Sequence, residues 1–262
     1  MISDFIKVFF PSTLAFIVGI ILTPFLTHYL YKYKMWKKRG GKITLEGKEA
    51  VVFNELHKQK EISAPRMGGV IIWVSSFLVI VGIWFLSKIY SISLFKKLDF
   101  LSRSQTWIPL ATLILGGLFG LIDDYLEIKR SEKMAGGLSL TIRLLIVGII
   151  GLLCALWFYF KLDIHSIGLP FGLSVNLGLL FIPFFILITI LLYSGGVIDG
   201  IDGLAGGIFA IIFAAYSGIA YFQNQINLAA FSALIVGSIL AFLWFNIPPA
   251  RFYMSETGTM SL

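Results

Sequence analysis

The chain has 262 residues, of which 58% are hydrophobic and only 13% charged, and its mean hydropathy is +0.90. Soluble domains carry about 25% charged residues, so the composition excludes a soluble globular enzyme and points to a bilayer. The net charge of +7 is concentrated, with 10 of the 21 Lys and Arg lying between Lys32 and Arg66. Beside a membrane helix such a cluster sets topology and touches anionic lipid. Nothing else resembles a nucleic-acid module, so no nucleic acid is expected as a partner. Cys154 is the only cysteine, which excludes an internal disulfide and a thiolate zinc site and leaves it as a packing residue.

The first apolar run, from Phe5 to about Leu30, is too long for a signal-peptide core and lacks a basic leader and a small-residue cleavage site. It reads as a retained first span. Six more follow at about 68–87, 107–122, 141–160, 176–193, 204–222 and 229–246, each near the roughly 20 residues a spanning helix needs. Pro11, Pro24 and Pro183 fall inside spans, as membrane helices tolerate. The predicted fold is all-α, a polytopic bundle of about seven spans forming one membrane domain over 1–262.

Orientation follows from parity. The loop after span 1 holds the basic cluster and should face the cytoplasm, which puts the N-terminus outside. The loops after spans 3, 5 and 7 then share that cytoplasmic face, and they hold Asp123 and Asp124, Asp199 and Asp202, and Glu256. The outside loops are about 88–106, 161–175 and 223–228. The first of these carries Lys88, Lys96, Lys97 and Arg103, so the bias is ten basic residues against four. All 14 Asp and Glu fall in loops or at span ends. Ion-coupled carriers usually place ionisable groups within the bilayer, so a carrier or channel is disfavoured.

Three acidic segments carry the chemistry. In Gly116-Gly-Leu-Phe-Gly-Leu-Ile-Asp-Asp-Tyr125 two adjacent carboxylates end span 3, at the negative end of the helix dipole. A solvated helix end would explain one acid there, and a bound cation explains a pair. In Gly195-Gly-Val-Ile-Asp-Gly-Ile-Asp-Gly-Leu-Ala-Gly-Gly207, Asp202 could N-cap the next helix, which leaves Asp199 and the glycines unexplained. The alternating acids and closing Glu of an EF-hand are missing, and a glycine-rich turn at a helix start suits an anion-plus-metal site. The third segment ends span 7 at Asn246, stops the helix at Pro248-Pro249 and brings in Glu256.

Together the segments offer up to five carboxylates on one face. Mg²⁺ binds through one or two carboxylates plus substrate phosphates, as phosphoryl transfer requires. His28, His57 and His165 form no zinc pattern, and no nucleophile elbow or Walker loop is present.

These residues resemble a known family. Pro65-Arg-Met-Gly-Gly69 is similar to the Pro-Thr-Met-Gly-Gly of the polyprenyl-phosphate phospho-sugar transferases. The resemblance continues through Asp123-Asp124, Gly137-Leu138, Asp199-Gly-Ile-Asp-Gly-Leu-Ala205, Phe242-Leu-Trp-Phe-Asn246 and Met254-Ser-Glu-Thr-Gly258. The Leu-Trp-Phe-Asn and Pro-Ala segment favours the phospho-N-acetylmuramoyl-pentapeptide transferase branch over the relatives that use N-acetylglucosamine phosphate.

The resemblance implies a Mg²⁺-dependent reaction on the cytoplasmic face of a bacterial plasma membrane. UDP-N-acetylmuramoyl-pentapeptide and undecaprenyl phosphate would give lipid I and UMP in peptidoglycan synthesis, and the enzyme would be a homodimer. Asp123 and Asp124 would act near the lipid phosphate. Asp199 and Asp202, with Gly200 and Gly203 of their turn, would serve the nucleotide-sugar side. Asp124 and Glu256 would be metal ligands, and Arg143 and Asn246 substrate-binding residues. The family's Asp-Asp-x-x-Lys reads Asp-Asp-Tyr-Leu-Glu127 here, a reversed charge for which Lys129 would substitute. The family also has about ten spans and a His-rich cytoplasmic loop near its C-terminus, so the chain is expected to be incomplete at its C-terminal end. The alternatives are a sister enzyme using UDP-N-acetylglucosamine and a non-catalytic truncated homologue.

Overall fold

The computed structural model describes residues 2–36, 64–90, 93–101, 105–129 and 137–262. Most of the basic cluster, together with His57 and Arg103, lies outside them. The helices are α1 (Ile2–Lys32), α2 (Val70–Ile89), α3 (Ser93–Leu98), α4 (Trp107–Lys129), α5 (Leu140–Lys161), α6 (Phe181–Ser194), α7 (Leu204–Phe222), α8 (Ile226–Asn246) and α9 (Ser255–Thr259). Six of these, α1, α2, α4, α5, α7 and α8, are long and apolar enough to cross a membrane, as an all-α polytopic bundle requires.

The fifth predicted span is met by a shorter helix. Its apolar helix covers only Gly178–Ser194, about 25 Å at the helical rise, against roughly 30 Å of hydrocarbon. The residues before it, in the predicted outside loop, pair as a small antiparallel hairpin, β1 (Ser166–Gly168) with β2 (Ser174–Asn176), in the register Ile167 opposite Val175. Gly178 then takes φ +52° and donates its N–H to the Asn176 side chain at 3.0 Å, so the helix cannot begin earlier.

The chain divides into two compact units. In the second, residues 138–197, α5 packs on α6. Gly151 lies against Thr189, and the Phe158 and Phe185 rings sit 5.4 Å apart. Ser139 caps the start of α5.

The first unit, residues 1–137 and 198–262, is built around α8. In a bilayer, helices associate through close packing of small residues rather than through hydrophobic burial, and α8 carries Ala229, Ala230, Ser232, Gly237, Ser238 and Ala241. Gly237 meets Ser12 of α1 and Ala241 meets Gly19, so the two helices run parallel. Ser76 of α2 bonds Ser238 at 2.9 Å, and Ser217 of α7 donates to the Ala229 carbonyl at 2.9 Å. The C-terminal ends of α1, α4 and α8 and the N-terminal ends of α2 and α7 therefore gather at one end of this unit.

α4 corrects one expectation. It does not stop near 122 but continues to Lys129, so Asp123, Asp124 and Glu127 lie within its last two turns. Its buried face, Leu113, Gly116, Gly120, Asp123, Asp124 and Ile128, keeps helical spacing through the acids. Asp123 and Asp124 thus sit further from the negative helix end, where the dipole effect has largely faded, and their burial has another basis.

Candidate functional site

The loop before α2 and the segment after α8 zip together. The Pro65 carbonyl accepts from Tyr253 N at 2.9 Å, the Tyr253 carbonyl from Gly68 N at 2.8 Å, and the Met254 carbonyl from Gly69 N at 3.2 Å. A Cβ at Gly69 would overlap the backbone of Gly258, and one at Gly68 would strike Phe252 and the Tyr253 carbonyl. The double glycine of the Pro-Arg-Met-Gly-Gly segment is therefore a steric requirement of this pairing. Met67 (φ +69°) and Ser255 (φ +52°) both adopt the left-handed conformation, strain of about 1–3 kcal/mol each of the kind that clusters at functional sites. Their contact closes the join, with Met67 N donating to Ser255 Oγ at 2.9 Å.

Asp124 is fully buried and holds the short helix α9 in place. Its Oδ2 accepts from Ser255 Oγ at 2.6 Å, from Thr257 N at 2.9 Å and from Thr257 Oγ1 at 2.5 Å. Its Oδ1 faces Arg66 Nη2 at 3.4 Å, while Arg66 Nη1 pairs with Glu127 at 2.7 Å. Burial opposes the charged guanidinium, but the nearby carboxylates of Asp124, Glu127, Asp199 and Glu256 outweigh it and hold the Arg66 pKa above its ordinary value. A raised pKa keeps a cation's contribution in full at lower pH and loses it only above the folded value, so Arg66 stays charged throughout the neutral range.

Asp199 joins the same serine from another side, its Oδ2 accepting from Ser255 N at 2.7 Å. Asp202 does not cap α7. That position belongs to Gly203, at φ +78°, and Asp202 accepts instead from Ala250 N at 3.3 Å. Gly203 N donates to Asn246 Oδ1 at 2.9 Å, and Asn246 Nδ2 donates to the Phe252 carbonyl at 2.8 Å. Asn246 thus ties the 199–203 turn to the segment after α8. Replacing it with Ala would take this partner from the half-buried Gly203 N–H and from the buried Phe252 carbonyl, the latter at about 1–3 kcal/mol. The Asn246→Ala protein is expected to melt several degrees lower in a detergent thermal scan, and an unchanged melting temperature would refute the tie.

Of the remaining residues singled out from sequence, Asp123 is fully buried beside Gly137, where a Cβ would overlap its carboxylate. Gly200 lies in the Asp199–Gly203 turn. Glu256 is carried on α9, close enough for its charge to act on Arg66. Lys129 is exposed and bonds the Tyr125 hydroxyl at 3.1 Å, while Arg66 pairs with Glu127. Arg143 lies in the first turn of α5, in the second unit. Sequence reasoning left Arg66, Ser255 and Thr257 out of the site. Their only signal was membership of the Pro-Arg-Met-Gly-Gly and Met-Ser-Glu-Thr-Gly segments.

No three His, Cys, Asp or Glu side chains converge on a metal position among the described residues. Asp124 is already engaged by protein donors. Asp199, Asp202 and Glu256 supply hard oxygen atoms, and Mg²⁺ needs only one or two carboxylates when substrate phosphates complete its shell. One or two of these residues would suffice for such an ion by donor chemistry.

The fold and site define a polytopic helical membrane protein with a buried acid network at one end of its bundle. Residues 106–262 match the family model described as Glycosyl transferase family 4. A phospho-N-acetylmuramoyl-pentapeptide-transferase from Anoxybacillus flavithermus is 32% identical over 97% of this chain and 72% of its own length. Proteins of the same name from Listeria monocytogenes and Rickettsia bellii are 31% and 32% identical, over 95% and 97% of this chain and 69% of their own lengths. The chain belongs to Glycosyl transferase family 4, in its phospho-N-acetylmuramoyl-pentapeptide-transferase branch.

Proposed function

We propose that this chain transfers phospho-N-acetylmuramoyl-pentapeptide from its UDP carrier to undecaprenyl phosphate, giving lipid I and UMP in peptidoglycan synthesis. The observation that carries the reading is the joining of four motif segments on Ser255, gripped by Asp124 through its hydroxyl and by Asp199 through its backbone N–H. In the reaction an oxygen of the lipid phosphate attacks the sugar-bearing phosphorus, the bond to the bridging oxygen breaks, and UMP leaves with that oxygen.

Asp123 and Asp124 serve the lipid-phosphate side, and Asp199, Asp202, Gly200 and Gly203 the nucleotide-sugar side. Asn246 completes the substrate contacts of the first unit, and the family resemblance makes Arg143 a substrate-binding residue. A Mg²⁺ ion held by Asp199, Asp202 or Glu256 would neutralise pyrophosphate charge when bound. The site faces the cytoplasm of a bacterial plasma membrane with the N-terminus outside, a reading supported by the ten-to-four bias of basic residues. The enzyme works as a homodimer.

The test is UMP release by the membrane-embedded protein with UDP-N-acetylmuramoyl-pentapeptide or UDP-N-acetylglucosamine, across a Mg²⁺ titration. Mg²⁺-dependent release with the first alone is expected. Release with the second alone would move the chain to the sister activity, and none with either would favour a non-catalytic homologue. Asp199→Asn is expected to lower the rate at least about tenfold, the effect of losing roughly 1.4 kcal/mol of transition-state stabilisation. A near-normal rate would remove Asp199 from the chemistry.

A further inference from the structure

Arg66, in the loop before α2, and Glu127, three residues after Asp124 on α4, carry opposite charges that the structure brings together. Arg66 Nη1 and Glu127 Oε2 lie 2.7 Å apart.

The geometry around Arg66 is that of a fixed group. Its backbone N–H donates to the Met35 carbonyl at 2.8 Å, and the next residue is locked to Ser255. Its side chain is only 15% exposed, and its two terminal nitrogens divide between Glu127 and Asp124. A planar guanidinium can span two carboxylates in this way, whereas an ammonium acts as a point charge. Lys129, in the last turn of α4, is engaged with Tyr125.

We propose that Arg66 is the positioning cation of Asp124, carried by the loop before α2, with Glu127 as its anchor. Arg66 counters the buried charge of Asp124 and fixes the carboxylate that seats α9. The pairing itself is independent of the transferase reading. Only its effect on turnover rests on that reading.

The test is a charge-exchange cycle in the full chain: wild type, Arg66→Thr, Glu127→Lys and the double exchange, each read by UMP release and by thermal melting. Each single change is expected to lower kcat at least about tenfold with KM for the nucleotide sugar within about twofold, because placement rather than binding is lost. The double exchange places a cation on the helix three residues from Asp124, within side-chain reach, and should recover kcat to within about threefold of wild type and melt above both single variants, a strong departure from additivity. Additive losses in rate and melting temperature would overturn the proposal, as would an Arg66→Thr protein with wild-type kcat. If wild type releases no UMP from any nucleotide sugar, the transferase reading fails on its own. The melting cycle then decides, with coupling upholding the pairing and additivity overturning it.

Discussion

Asp124→Asn is expected to reduce UMP release at least about 100-fold, equivalent to roughly 2.7 kcal/mol at the transition state, while the protein remains in the membrane. The carboxylate accepts three hydrogen bonds on Oδ2 and faces a guanidinium on Oδ1. An amide oxygen can keep the Ser255 and Thr257 donors, but the amide nitrogen would then face Arg66 Nη2, donor against donor. Arg66 is left with one carboxylate in place of two, and breaking a buried pair costs about 3–5 kcal/mol when the remaining charge is uncompensated. Glu127, Asp199 and Glu256 retain part of that compensation, so the melting temperature should fall without loss of the fold. Asp124→Ala, which removes every acceptor, should melt lower still. A rate near normal in Asp124→Asn would show that the network is structural only.

Gly120→Val should be as damaging by a different route. A Cβ at Gly120 would overlap the Glu256 carbonyl, and one at Gly116, a turn earlier on the same face, would overlap the Met260 carbonyl. These two glycines form a notch on α4 into which α9 fits. Overpacking against a side chain costs about 1–3 kcal/mol because rotamers can shift. Backbone pressed on backbone has no such relief, so α9 must leave, taking Ser255 and Thr257 away from Asp124. Loss of turnover together with a large drop in melting temperature is expected. Gly82→Val is the control, since a Cβ there meets nothing, and its melting temperature should move little. Equal effects from the two substitutions would refute the notch.

Element existence was legible because membrane helices announce themselves by length and apolarity. The fifth span was placed within two residues of its apolar helix, while the hairpin before it went unseen because local pattern does not show that β1 and β2 pair. The end of α4 was misplaced. Asp123 and Asp124 read as a loop because buried carboxylates are rare, and the Ser255 and Thr257 donors that hold Asp124 lie more than a hundred residues away in sequence.

What the sequence by itself determined was the class of molecule, the motif segments and the family, because composition, span length and local motifs are properties of short stretches. What only the tertiary structure decided was how those stretches use one another: Asp124 as the anchor of α9, Asp202 as a partner of Ala250, Asn246 as a tie, and Arg66 as the cation beside Glu127. Hydrogen bonds and ion pairs act over about 3 Å, so a partner is chosen by where the backbone brings it, and spacing along the chain carries no record of that choice.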